Sequence, residues 1–318
     1  MSYLLYILEG EDPILRRNKM TKGKYKDLVD QETGEVTVVP IEYSPETYEF
    51  RSVKKADYQK KWKENSTNQF TWSFQDNVKK LLAEKRIVLS SLGALLVLLS
   101  YLDNDGYLRK RTLEDKPLLT RAEIQEILGT SVNTTTRTLN NLKSCGILIV
   151  EGTVRNQIFR INPLFHSRGK LPEDIIHVVR VQNKGIKTLH EQSNIKLDAI
   201  GFLYLLIPYM SYDSMCLVKD LDGEEGLDNA LSMEEICKEL GMADRTVAKY
   251  LKLKINYNFK QGEYKVPVFV YVTNPSYPSR KVTFVNPVIF RRNMKTTGEL
   301  NFNELDNIFR RVAKKVEK

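Results

Sequence analysis

The chain has 318 residues, 42% of them hydrophobic and 28% charged, which fits folded globular domains and argues against long disorder or a membrane protein. At about 150 residues per domain, the length suggests two domains. Lys and Arg total 49 against 40 Asp and Glu, a net charge of +9 that favours an acidic partner such as nucleic acid.

In chain order, residues 1–17 lack a basic stretch ahead of their apolar run and do not read as a signal peptide. Thr33-Gly34 marks a turn before a strand at 36–39. Residues 54–65 read as a highly charged, solvated helix, and Tyr25, Trp62, Trp72 and Phe74 are assigned to core or interface. The longest apolar run, Ile87 to Leu102, carries three serines. It is shorter than the roughly 18–20 residues that span a bilayer and predicts a buried helix.

A pattern then occurs twice. Residues 119–139 align without a gap to 231–251, matching Ile124 with Ile236, Leu128 with Leu240, Gly129 with Gly241, Arg137 with Lys249 and Leu139 with Leu251. Thr120 with Glu123, and Ser232 with Glu235, are capping boxes that open a helix. Apolar residues at helical spacing follow, and the glycine closes the helix in a left-handed conformation. Ser131 caps a second helix in the first copy, whereas Asp244 is the only nearby candidate in the second. Leu128 and Leu240 are expected to be buried where the two helices cross.

Each copy continues into a β-hairpin. The first is predicted at 147–150 and 157–161, the second at 265–272 and 281–285, and both end in Asn-Pro, at Asn162-Pro163 and Asn286-Pro287. Helix, turn, helix and hairpin is the order of a winged helix. Ile87–Leu102 and Lys196–Met210 supply the preceding helices, so 87–166 and 196–291 should superpose. The predicted fold class is α+β, with tandem winged-helix domains and an N-terminal extension. The expected domains are 1–80 (a strand-turn segment and charged helix), 81–170, and 171–318 with a basic C-terminal helix. The polar stretch Ser167–Pro172 forms the boundary between the winged helices.

No P-loop, nucleophile elbow or dinucleotide fingerprint is present. His166, His177 and His190 have no partner at metal-ligand spacing, and the acidic cluster Asp220, Asp222, Glu224 and Glu225 fails the calcium-loop pattern. Cys145, Cys216 and Cys237 form no disulfide framework and read as reduced thiols of a cytoplasmic protein. The expectation is a protein that is not an enzyme and uses no cofactor or metal.

Residues 24–40, with Asp30 to Val36 reading Asp-Gln-Glu-Thr-Gly-Glu-Val, together with Phe159 to Gly169 around the first Asn-Pro, resemble the RepL-type plasmid replication proteins of Gram-positive bacteria. The resemblance covers about residues 20–170 and implies DNA binding and plasmid replication. The second copy has no such opening, and the tandem layout is similar to theta-type plasmid initiators that bind DNA repeats and to phage regulators.

The outward positions of the second helices are then the candidate DNA contacts: Asn133, Thr134, Thr136, Arg137 and Asn140 in the first copy, and Arg245, Thr246, Lys249 and Lys252 in the second. Arg and Asn suit guanine and adenine edges in the major groove, and Thr suits phosphates or thymine methyls. Arg155 and Arg160 of the first hairpin, Arg280 and Lys281 of the second, and Arg291 and Arg292 beyond it suit phosphates or the minor groove. The expected partner is double-stranded DNA, with no membrane. Host replication or transcription proteins and a second copy of the chain are the further partners such a role admits. Replication initiation and transcription regulation both fit this surface, and a protein-interaction scaffold is the alternative of another class.

Overall fold

The computed structural model describes residues 25–29, 36–40, 70–110, 117–153, 155–169, 171, 175–192, 194–211, 215–223, 228–259, 262–273, 281–291, 309 and 311–315. The chain is α+β with small antiparallel sheets. It divides into two compact units, Met1–Asn68 and Gln69–Lys318. The described part of the first is an antiparallel hairpin of β1 (Tyr25–Val29) and β2 (Val36–Pro40), with Tyr25 opposite Pro40 and Val29 opposite Val36. The turn at Thr33-Gly34, the charged helix expected at 54–65, and most of the C-terminal segment expected to be helical lie outside the described residues.

The second unit is built from one pattern used twice. In the first half, β3 (Phe70–Phe74) runs directly into α1 (Gln75–Glu84). Then follow α2 (Leu89–Leu99), α3 (Arg121–Leu128), α4 (Val132–Ser144), β4 (Leu148–Gly152), β5 (Gln157–Ile161) and β6 (His166–Ser167). In the second half, β7 (Val178–Gln182) runs directly into α5 (Asn183–His190), followed by α6 (Leu197–Leu206). Next come α7 (Met233–Leu240), α8 (Asp244–Leu251), β8 (Lys254–Phe259), β9 (Gly262–Pro267), β10 (Phe269–Thr273), β11 (Lys281–Val285) and β12 (Phe290–Arg291). The repeat is thus longer than the sequence pattern, because each half also opens with a strand and a helix. Residues 70–80, grouped by sequence with the N-terminal extension, belong to this unit.

The helix starts follow the predicted capping chemistry. Thr120 and Ser232 accept the backbone N–H of Glu123 and Glu235, and each Glu reaches back to the cap N–H. Gly129 and Gly241 end α3 and α7 at φ values of 61° and 60°, which glycine adopts at little cost. Ser131 caps α4 by accepting from the Thr134 N–H. The expectation for Asp244 is corrected: α8 starts from Ala243 with no side-chain cap, and Asp244 is the first helical residue, where its charge favours the positive end of the helix.

The expected strand at 265–272 is also corrected. Pro267, which has no N–H to donate, ends β9, and the chain resumes as β10. The β8–β9 hairpin is therefore an insertion between α8 and β10, with β13 (Lys314–Lys315) added to the other edge of β9. The hairpin equivalent to β4–β5 is β10–β11, which places Phe269 opposite Val285 as Leu148 lies opposite Ile161.

The two halves are joined reciprocally. β3 and β7 pair antiparallel at the centre of a sheet ordered β12-β7-β3-β6. Trp72 lies opposite Arg180, Phe70 opposite Gln182 and Phe74 opposite Val178, so exchanging the halves maps the register onto itself. The edge strands obey the same exchange: Ser167 lies opposite Trp72 as Arg291 lies opposite Arg180. Beneath the sheet, α2 and α6 are apolar around almost their whole circumference and are buried over nearly their full length. They cross at Gly93 and Gly201. A methyl on Gly93 would collide with the Leu197 carbonyl, and one on Gly201 with the equivalent Leu89 carbonyl. The unit therefore has an internal pseudo-twofold axis through the Trp72–Arg180 pair and the Gly93–Gly201 crossing.

Most predicted core residues are buried, among them Ile124, Leu128, Leu139, Leu142, Ile236, Val247 and Leu251, as are Trp72 and Phe74. Ile127 of the predicted stripe is half-buried, and so is Leu240: Ile236 and Cys237 fill the interface of α7, and Leu240 sits at the helix end beside exposed Gly241.

Gly93→Ala and Gly201→Ala are each expected to destabilise the protein by about 1–3 kcal/mol or more, the range for overpacking, since the obstacle is backbone. Urea or thermal unfolding checks this. Unchanged midpoints for both variants would mean that the helices do not touch through these glycines.

Candidate nucleic-acid interface

Each helix pair is held onto its hairpin by the same local bonds. Asn162 Nδ2 donates to the Gly146 carbonyl at 2.8 Å and Asn286 Nδ2 to the Pro267 carbonyl at 2.9 Å. Their Oδ1 atoms accept the N–H groups of Leu164 and Val288, both at 3.0 Å. The Asn-Pro ending is thus a turn that ties the last strand to the residue before the first. A third strand-like segment joins each hairpin. Tyr107 bridges to Arg160 in the first half and Cys216 to Phe284 in the second.

The capping boxes are locked by a matched cation that the sequence pattern did not reveal. Lys110 Nζ lies 2.6 Å from Glu123, and Lys219 Nζ lies 2.6 Å from Glu235. The Lys110 ammonium, together with the Thr120 N–H and hydroxyl, holds the Glu123 carboxyl down at about 2. Burial opposes ionisation of Glu235, but Lys219 and the Ser232 cap outweigh it and also hold that carboxyl at about 2.

This scaffold presents α4 and α8. On α4, Asn133, Thr134, Arg137 and Asn140 are exposed, and Thr136 is half-buried beneath the Arg121 guanidinium, which donates to its hydroxyl at 3.5 Å. On α8, Arg245 and Lys249 are exposed and Thr246 is half-buried, and Lys252 is exposed at its C-terminal cap. Arg155 is exposed in the turn between β4 and β5, and Lys281 is exposed at the start of β11. Arg160 sits on β5 with its guanidinium 5.6 Å from the Tyr107 ring centroid. Arg291 is placed elsewhere: it lies half-buried in β12, in register with Arg180 of the central sheet. Arg280 and Arg292 lie outside the described residues.

Val132 was missed by pattern reasoning. Its spacing from Leu139 puts it on the buried stripe of α4, yet it stands 59% exposed, because the first turn projects beyond the core. A fully buried polar chain also escaped notice. His166 lies 2.9 Å from the Ser73 hydroxyl and 2.9 Å from the Tyr204 hydroxyl. Burial pushes the His166 imidazole down to about 3 and the Tyr204 phenol up. Among the described residues, no group of His, Cys, Asp or Glu is arranged to hold a metal ion, and no helix is long and apolar enough to cross a membrane. Comparison of the chain with models of known protein families, with curated proteins and with solved structures finds no match.

The pH dependence follows from these groups. Glu123 and Glu235 sit at about 2 against an ordinary 4.5, so their contribution is complete above pH 4.5 and lost as the pH falls toward 2. His166, at about 3 against an ordinary 6.5, also gives up stability as the pH falls, but from 6.5 downward, because only the unfolded chain takes up the proton. Urea midpoints should therefore decline in two stages. Glu123→Gln with Glu235→Gln should flatten the stage below pH 4.5. His166→Phe, although costly at every pH because two hydroxyls lose a partner, should flatten the stage between 6.5 and 4.5.

Proposed function

We propose that this chain is a sequence-specific double-stranded DNA-binding protein whose Gln69–Lys318 unit carries two winged helices, with α4 and α8 entering successive major grooves. The observation that carries the proposal is the repetition of one scaffold whose exposed second helix bears hydrogen-bonding and basic side chains in both copies. In each half a capped helix, a glycine turn, a second helix and a three-segment hairpin follow in the same order. Arg137 and Lys249 stand exposed at equivalent positions. The net charge of +9 favours the same partner. The pseudo-twofold axis relates the two helix pairs, so the half-sites they meet run in opposite directions.

The most concrete role is initiation at a plasmid or phage origin, by binding origin repeats and recruiting host replication proteins. The resemblance of residues 24–40 and 159–169 to RepL-type replication proteins favours this role over transcription regulation of a mobile element, which would use the same surface.

Mapping bound sites across the genome and its mobile elements tests the proposal. Clustered sites within a replication origin are expected, and sites confined to promoters would favour the regulator. In titrations on specific and scrambled duplexes, Arg137→Ala should reduce preference for the specific duplex. A base contact is worth about 1–3 kcal/mol of discrimination. Weak, salt-insensitive binding to every fragment by the unmodified protein would instead point to a protein-interaction scaffold.

A further inference from the structure

The two halves differ most where they would touch DNA. Because the scaffold is repeated position by position, residues 132–140 of α4 have counterparts at 244–252, on α8 and its C-terminal cap. Val132 corresponds to Asp244, Asn133 to Arg245, Thr136 to Ala248, Arg137 to Lys249 and Asn140 to Lys252. Within this span, α4 presents two amides, two hydroxyls, an apolar side chain and one cation, with Lys143 exposed in the turn beyond. The equivalent span of the second half presents three cations, one acid and the Thr246 hydroxyl. Thr136, Thr246 and Ala248 are half-buried and the others are exposed.

These sets have different uses. An Asn side chain pairs with adenine through two hydrogen bonds, Arg pairs with guanine, and an apolar side chain meets a thymine methyl. All three discriminate between bases. Lysine is a compact charge on a flexible stem that attracts any phosphate and releases counterions whatever the sequence. Of the α8 cations, only Arg245 has the fork that grips a guanine.

We infer that the two reading helices divide the work: α4 reads base sequence and α8 grips the DNA backbone. This rests on the DNA-binding proposal above. The recognised site is then a composite of two inverted arms. The arm under α4 carries nearly all the sequence information, and the arm under α8 tolerates substitution except for at most one guanine. The chain thereby gains affinity from a second groove without requiring a second specific half-site.

The full-length protein is tested by selection from a random duplex library, followed by titration on the selected duplex with either arm scrambled separately, at several salt concentrations. Scrambling one arm should cost the unmodified protein about tenfold or more in affinity, and scrambling the other about threefold or less. Asn133→Ala with Asn140→Ala should remove preference for the informative arm and leave the salt slope unchanged. Lys249→Ala with Lys252→Ala should weaken binding to all duplexes alike and reduce the slope of log affinity against log salt by about 2. These four residues are exposed, and superimposable melting curves confirm that the variants are folded. Equal losses on scrambling either arm, or a changed selected motif in the lysine variant, would overturn the division of labour while leaving DNA binding intact. Absence of binding at low salt by the unmodified protein would overturn the DNA-binding proposal itself.

Discussion

The contact between α2 and α6 at Gly93 and Gly201 sets the rest of the structure. Each glycine lies against a carbonyl at the start of the opposing helix, and a side chain at either point would collide with that backbone. Glycine inside a helix costs about 1 kcal/mol relative to alanine. Here the absence of a side chain lets two apolar helices approach closely enough to exclude water along nearly their full length. The crossing fixes the relation between the halves. The β3–β7 pairing above it repeats the same exchange, and the two helix pairs and their hairpins are carried on this frame.

A symmetric frame made from unequal sequences needs features that distinguish the halves. The buried Ser73–His166–Tyr204 chain runs between the halves, with Ser73 and His166 from the first and Tyr204 from the second. The symmetry-related positions, Val181 and Phe290 of the second half and Leu96 of the first, are all buried and apolar. Ser73 and His166 thus find their polar partner in the other half, whereas the symmetry-related contact is apolar, so the two halves are not interchangeable in the interface. The turn below shows the same kind of substitution. Asn77 of α1 donates to the Leu164 carbonyl at 2.7 Å, whereas the equivalent residue of α5 is Gly185, whose backbone lies against the Val288 carbonyl.

Apart from the start of α8, local chemistry was legible where a residue acts on neighbours within one or two turns. Thr120, Ser131 and Ser232 cap as their spacing to Glu123, Thr134 and Glu235 requires, and Gly129 and Gly241 end their helices. Several other features depend on partners distant in the chain. Lys110 and Lys219 reach the capping carboxylates from another segment. Leu240 has the helical spacing of a core residue but packs only against the edge of the core and stays half-buried. Arg291, which reads as a wing cation beyond an Asn-Pro turn, is drawn into the central sheet by pairing with β7.

The sequence by itself determined the internal repeat, the capped helices with their glycine turns, the hairpins and the polar character of α4 and α8. Each depends on contacts between residues close in the chain or on side chains left in water. Only the tertiary structure decided that the two copies share one core, that β3 and β7 join them as a reciprocal pair, and that β8–β9 is an insertion. Those outcomes depend on long-range backbone pairing and close helix packing. The alignment of 119–139 with 231–251 reveals that the units are alike, but their relation is set by Gly93, Gly201, Trp72 and Arg180, which lie outside it.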